Sequence, residues 1–231
     1  MSLPAPLFAH APDDVGAETA DRYDWQALTA AVDCLAWISA RSSKDSGPAT
    51  DIRLICEHHE DYILCVGNRI ELVSVKHRDL GQGAWTRATL FGAGGIAHLF
   101  RRWLILQESA SARLVTNAGL KSDAARVRDL CSRLKSDPAT ALDIPLSEDL
   151  ADAAKRIADA TDPATVSELS WRESDGTPSI GFVACVRRFL AILILDCERP
   201  HRGLLPSAAV SMYVAPFLRA IGGDPASAES A

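Results

Sequence analysis

Asp61, Ser74 and Lys76 are spaced so that one tight hairpin brings them to the same end of a sheet. Asp61 opens the apolar run Tyr62 to Val66, Gly67 and Asn68 supply a turn, and Ile70 to Lys76 returns as an alternating strand. Alternation puts Glu71, Val73 and Val75 on one face and Leu72, Ser74 and Lys76 on the other. The Asp61 carboxylate, the Val75 backbone carbonyl and the Lys76 ammonium then converge. Hard oxygen donors suit Mg²⁺ or Mn²⁺, which retains several waters, and a lysine orients a water or stabilises charge developing on a phosphate. Those are the parts needed to hydrolyse a phosphodiester. Metal-bound water gains acidity, so no histidine base is required. Plainer readings stand beside this one: Asp61 as a strand-start carboxylate, and Lys76 snorkelling from a strand end.

The elements that must position these residues follow from periodicity. Trp25, Leu28, Val32, Leu35 and Ile38 recur at helical spacing, predicting an amphipathic helix from Thr19 to Arg41 that "SSKDSGPAT" ends. Strands are expected at Ile52 to Cys56, Tyr62 to Val66, Ile70 to Lys76 and Ala112 to Asn117, with a helix across Arg87 to Gln107 that has "GAGG" inside it. The remainder reads as helical, at Asp123 to Lys135, Ser147 to Asp159, Cys185 to Leu195 and Ser207 to Ile221. Helix, three strands, helix, strand is the order of a mixed α/β sheet with helices packed on it.

Composition narrows the function classes. The chain has 231 residues, 48% of them hydrophobic and 23% charged, as expected of a globular domain with a full core. Its apolar runs, such as "FLAILIL", are far shorter than the ~20 residues of a membrane span. The first 26 residues lack a basic region followed by an apolar one, so a cytoplasmic location is expected. The six cysteines include no C-x-x-C pair and read as small buried hydrophobes. No phosphate loop of the form G-x-x-x-x-G-K-[ST], no H-E-x-x-H and no G-x-S-x-G is present, which excludes those routes to ATP, zinc-peptidase and serine-esterase chemistry.

Net charge is -6, unevenly spread. From His98 to Lys135 there are eight Lys or Arg against three acids, and from Ser136 to Asp175 ten acids against three bases. One middle segment can therefore meet a polyanion in an acidic protein. Its plainer reading is two ordinary solvated helix faces. Among individual side chains, His77 and Arg113 are candidate phosphate contacts. Trp85 is a candidate base-stacking residue whose alternative is closing a loop onto the core.

With D-x(n)-(D/E/Q)-x-K inside it, the element order resembles the PD-(D/E)xK nucleases, the restriction-endonuclease-like fold. More narrowly, "ADRYDWQAL", "EHHEDYIL", "VSVKHRD", Trp85, "HLFRRW" and "RLVTNAGL" are similar to the double-stranded DNA endonuclease domain of bacterial anti-phage effectors. That family includes the CD-NTase-associated endonucleases and the nucleases that partner HerA-type ATPases. The likeness runs from Gly16 to Leu120, and more loosely through "VRRFLAILIL". It implies a loose segment 1–16, a nuclease core over 17–120, a mainly helical part over 121–222 and a tail over 223–231.

The resemblance also implies roles. Asp61 matches the metal-binding acid, Lys76 the catalytic lysine, Gln26 a glutamine of the first helix that faces the site, and Glu57 a nearby acid that assists the metal. Ser74 departs from the pattern, standing where the motif has Glu or Gln. Its hydroxyl is shorter and uncharged, so the metal has one fewer anionic ligand. The expected protein is a Mg²⁺- or Mn²⁺-dependent endonuclease of double-stranded DNA, held in check by homo-oligomer assembly or by a partner ATPase or other defence protein. Its alternative is a nuclease-like scaffold that binds DNA or a partner without cutting.

Overall fold

The computed structural model describes residues 15–42, 52–56, 61–137, 139, 142–160 and 171–200. Helix α1 (Val15–Ser42) leads to the strands β1 (Ile52–Cys56), β2 (Tyr62–Val66) and β3 (Arg69–Lys76). Helices α2 (Arg87–Phe91) and α3 (Ile96–Ile105) return the chain to β4 (Ser111–Thr116). Helices α4 (Ser122–Ser136), α5 (Ile144–Ala160) and α6 (Ile180–Ile192) then precede β5 (Leu193–Asp196). The sheet runs β1-β2-β3-β4-β5, antiparallel among the first three strands and parallel at β3–β4 and β4–β5. This is the mixed sheet with flanking helices that the sequence predicts. Among the described residues no helix is long and apolar enough to cross a membrane.

The hairpin forms as its composition dictates. Gly67 takes the positive φ (59°) of the turn, and the register pairs Val66 with Arg69 and Tyr62 with Val73. Alternation then sorts the faces. Leu72 points with Ala112 and Leu114 into the larger core, which α2 to α6 fill, whereas Val73, Val75, Tyr62 and Val115 meet Trp25, Ala30 and Val32 of α1. Phe100 makes edge contacts with Trp171, Phe182 and Phe189 at the centre of the larger core. The segments after β4 thus share one core with β3 and α3.

Two expectations are corrected. Arg87 to Gln107 is not one helix: a Cβ on Gly94 would collide with the Leu90 backbone, and Gly95 has φ +88°. That backbone breaks the chain into α2 and α3. Cys185 to Leu195 is not wholly helical either, because the chain leaves α6 at Leu193 (φ -75°, ψ 130°) and joins the sheet, with Ile194 beside Arg113. The helix expected at Ser207 to Ile221 lies outside the described residues.

Under α1 the sheet carries a buried ionic network. Arg113, only 8% exposed, pairs with Asp33 (2.6 Å), Glu71 (2.9 Å) and Asp196 (3.4 Å). Tyr62 donates its hydroxyl to Asp33 at 2.5 Å, and Arg199 joins Asp33 and Asp196. Burial alone works against the Arg113 charge; the carboxylates of Asp33 and Glu71 outweigh it and raise the pKa. Burial, then the negative charge of Asp33, pushes the Tyr62 phenol well above its ordinary range. One guanidinium therefore joins α1, β3, β4 and the end of β5. Arg113→Ala leaves Glu71 without its cation and, among the described residues, Asp33 and Asp196 on Arg199 alone, and should lower unfolding free energy by about 3–5 kcal/mol, measured by urea denaturation. A loss under about 0.5 kcal/mol would mean the network does not anchor α1.

Candidate active site

The β2–β3 ladder stops at Tyr62, so the next residue back, Asp61, meets the continuing strand with its side chain. Its Oδ2 accepts from the Val75 N–H at 2.5 Å, from Lys76 Nζ at 3.2 Å and more distantly from Ser74 Oγ at 3.4 Å. Its Oδ1 accepts from Gln26 Nε2 of α1 at 2.9 Å. Four sequence candidates thus gather on the fifth: Asp61, Gln26, Ser74, Val75 and Lys76 form one cluster at the C-terminal end of β3. The Asp61 side chain is 15% exposed and that of Lys76 29%, so the ammonium reaches water while the carboxylate lies beneath it.

A cleft of about 500 Å³ opens beside this cluster, lined among others by Gln26, Val75, Lys76 and Arg78. Arg78 lies over the Trp85 ring, 4.2 Å from its centroid, and its backbone is clamped by the Asn117 amide through two 2.7 Å hydrogen bonds. On the Lys76 face the chain before α3 presses in. A Cβ on Gly95 would stand 3.2 Å from Lys76 Cε and 3.3 Å from Ser74 Oγ, so only glycine lets the backbone approach this closely. Ser74 is wholly buried under that contact.

Of the three expected nucleic-acid contacts, His77 and Trp85 line the cleft and Arg113 does not. The Arg113 guanidinium is taken up by the ionic network under α1. The His77 side chain is 5% exposed, with its ring edge-on to Trp25 at 5.3 Å and Nδ1 3.7 Å from Asp79. Trp85 is 5% exposed, donates Nε1–H to Thr116 Oγ1 at 3.0 Å and carries Arg78 on its ring at the cleft wall. Glu57 lies outside the described residues, as do His58, His59 and Glu60. Sequence reasoning missed Gly95 and His98. The Gly-Gly pair ahead of an apolar helix was a usable signal for the first. His98 stands in the electrostatic neighbourhood of Lys76 and Asp61: burial, then Arg102, Lys76 and Arg101, hold its pKa below the usual value, and Asp61 opposes them.

Hard-cation chemistry fits the donors present. The Asp61 carboxylate lies against the cleft-lining residues Gln26, Val75 and Lys76, and Gln26 Oε1 is buried without a hydrogen-bond partner among the described residues. The carboxylate and amide oxygens are ligands of the Mg²⁺ type with a single fixed negative charge. Among the described residues no three His, Cys, Asp or Glu side chains gather into a metal cluster.

Gly95→Ala tests the close approach. Its left-handed φ costs an L-residue about 1–2 kcal/mol, and the new methyl meets Lys76 and Ser74. Thermal unfolding should register that loss and plasmid cleavage should fall, whereas Gly81→Ala, whose Cβ would meet nothing within 4 Å, should change neither.

No curated protein and no solved structure matches the chain. Residues 14–171 match the family model described as Cap4, dsDNA endonuclease domain. That span holds α1, the sheet through β4, and every residue of the Asp61 cluster. It covers well over half of the sequence, so the chain belongs to the Cap4 family of double-stranded DNA endonuclease domains.

Proposed function

We propose that this chain is a divalent-metal-dependent endonuclease that hydrolyses phosphodiester bonds of double-stranded DNA from the Asp61–Lys76 cluster. The observation that carries the reading is the convergence of Gln26, Ser74, Val75 and Lys76 on one Asp61 carboxylate beside an open cleft, within a chain of this family. Asp61, Gln26 Oε1 and the Val75 carbonyl are the groups that would hold Mg²⁺ or Mn²⁺, with Glu57 as an added acid. Such an ion supplies Lewis acidity toward the phosphoryl oxygens and lowers the pKa of water.

The protein's own part is positioning and charge. The Lys76 ammonium, held against Asp61, faces the cleft where a phosphodiester would lie. There it can orient the attacking water and offset the charge that builds on the phosphate oxygens as the new P–O bond forms and the bond to the leaving sugar oxygen breaks. Gln26 holds Asp61 from the opposite side, so the carboxylate does not follow the lysine outward. Indiscriminate cutting endangers the host, so assembly of a homo-oligomer or a partner ATPase serves as the gate, in bacterial anti-phage defence in the cytoplasm.

Ser74 favours one second reading. With a neutral, buried hydroxyl in place of a second acid, the chain can serve as a nuclease-like scaffold that grips DNA or a partner without cutting. Plasmid cleavage separates the two. Wild type with Mg²⁺ or Mn²⁺ should nick and linearise supercoiled DNA, more steeply at high protein concentration, and chelation should stop it. Lys76→Ala and Asp61→Ala should each reduce the rate by about 100-fold or more. DNA binding without cleavage under every metal and concentration would select the scaffold.

A further inference from the structure

Lys76 is the near end of a row of basic side chains that continues from the Asp61 cluster along α3. Helix α3 begins over it at Gly95, and helical spacing places His98, Arg101, Arg102 and Ile105 on the same side as Gly95 in successive turns. The opposite side, Ile96, Ala97, Leu99, Phe100 and Trp103, is buried in the larger core. His98 is exposed, Arg101 and Arg102 half-exposed, and Ile105 45% exposed. From Gly95 to Arg102 the helix rises about 10 Å, roughly three base steps along a DNA strand.

Arg101 and Arg102 differ from the arginines that carboxylates take up. Arg113, Arg188 and Arg199 are each bound to carboxylates. Among the described residues neither Arg101 nor Arg102 forms an ion pair with an acid. Arg102 Nε instead lies 3.5 Å from His98 Nε2. Arg102, Lys76 and Arg101 all act electrostatically on His98, so positive charge gathers around that imidazole on an acidic protein. Such a grouping raises the local potential and needs an anion to offset it. A row of donors that starts at the candidate catalytic lysine and leads outward along a rigid helix suits a regularly spaced polyanion.

We propose that His98, Arg101 and Arg102 form a docking track for the phosphate backbone of duplex DNA, leading the cleaved strand to Lys76. The inference rests on the nuclease reading and adds to it the surface that receives the substrate. Phosphate contacts of this kind set position and affinity, not sequence preference.

The test compares Arg101→Gln/Arg102→Gln with Arg133→Gln/Lys135→Gln, which removes the same charge from the last turn of α4. The start of α4 is tied to Trp85 beside the cleft, so its last turn lies about 20 Å along the helix. Duplex binding is measured by fluorescence anisotropy in chelator across a salt series, and cleavage in Mg²⁺ at saturating DNA. The α3 pair should bind about tenfold or more weakly, and the slope of log affinity against log salt should fall by about 1.8, or about 0.9 for each phosphate that is no longer neutralised. Cleavage at saturation should stay within about threefold of wild type, since interactions made equally in ground and transition states change KM rather than kcat. Arg101→Gln alone should give about half the slope change, and it serves if the pair folds poorly. Binding and slope equal to those of the α4 pair, with wild type cutting normally, would overturn the track and leave the nuclease reading intact. A wild type that neither binds nor cuts would overturn both.

Discussion

Where β2 ends, the Asp61 carboxylate takes the Val75 N–H that the ladder no longer uses. The same group receives Gln26 from α1 and Lys76 from the next position of β3. A buried carboxylate is costly unless its lone pairs are satisfied, and these donors satisfy it while leaving the lysine at the surface of a cleft. The fold serves that contact. The two-residue turn sets the β2–β3 register, the register puts Asp61 opposite Ser74, and α1 must lie close enough for Gln26 to reach across. Slipping the hairpin by one residue would turn Lys76 into the α1 face and remove it from Asp61.

The two faces of the sheet use cations for opposite ends. On the α1 face Arg113 and Arg199 are taken up by Asp33, Glu71 and Asp196, and their role is to hold α1, which carries Gln26, on the strands. On the other face Lys76 has one carboxylate partner, and α3 extends the positive charge outward. Replacing an arginine therefore has a different consequence on each side: lower stability under α1, weaker grip on a polyanion along α3. Ser74 belongs to the same geometry. A Cβ on Gly95 would press on its hydroxyl and on Lys76 Cε.

The hairpin was legible in the sequence because alternation and a Gly-Asn turn leave one register that buries the apolar face. The convergence of Asp61, Val75 and Lys76 follows from that register alone. Gln26 is different: only the family resemblance pointed to it, since helical periodicity does not say which strand a helix residue meets. Arg113, expected at a phosphate, shows what a sequence hides. Arg113 alternates correctly within β4, but its acidic partners come from positions 33, 71 and 196, and nothing local reveals them. His77 and Trp85 do reach the cleft wall, and what the sequence left out is that Trp25 packs on the one and Thr116 takes the indole N–H of the other. Strand β5 was hidden in an apolar run whose composition suits helix and strand alike, and the positive charge counted between His98 and Lys135 acquired a direction only once α3 fixed its phase.

The claim at the centre of this account is that Asp61 and Lys76 act as one catalytic unit. Single-turnover cleavage by Asp61→Asn, by Lys76→Met and by the doubly substituted chain, each confirmed folded by circular dichroism, measures that coupling directly. Groups that act together are strongly non-additive, so the doubly substituted chain should cleave no more slowly than the worse single variant. Losses that multiply, as for independent sites, would contradict the account and place one of the two residues outside the chemistry.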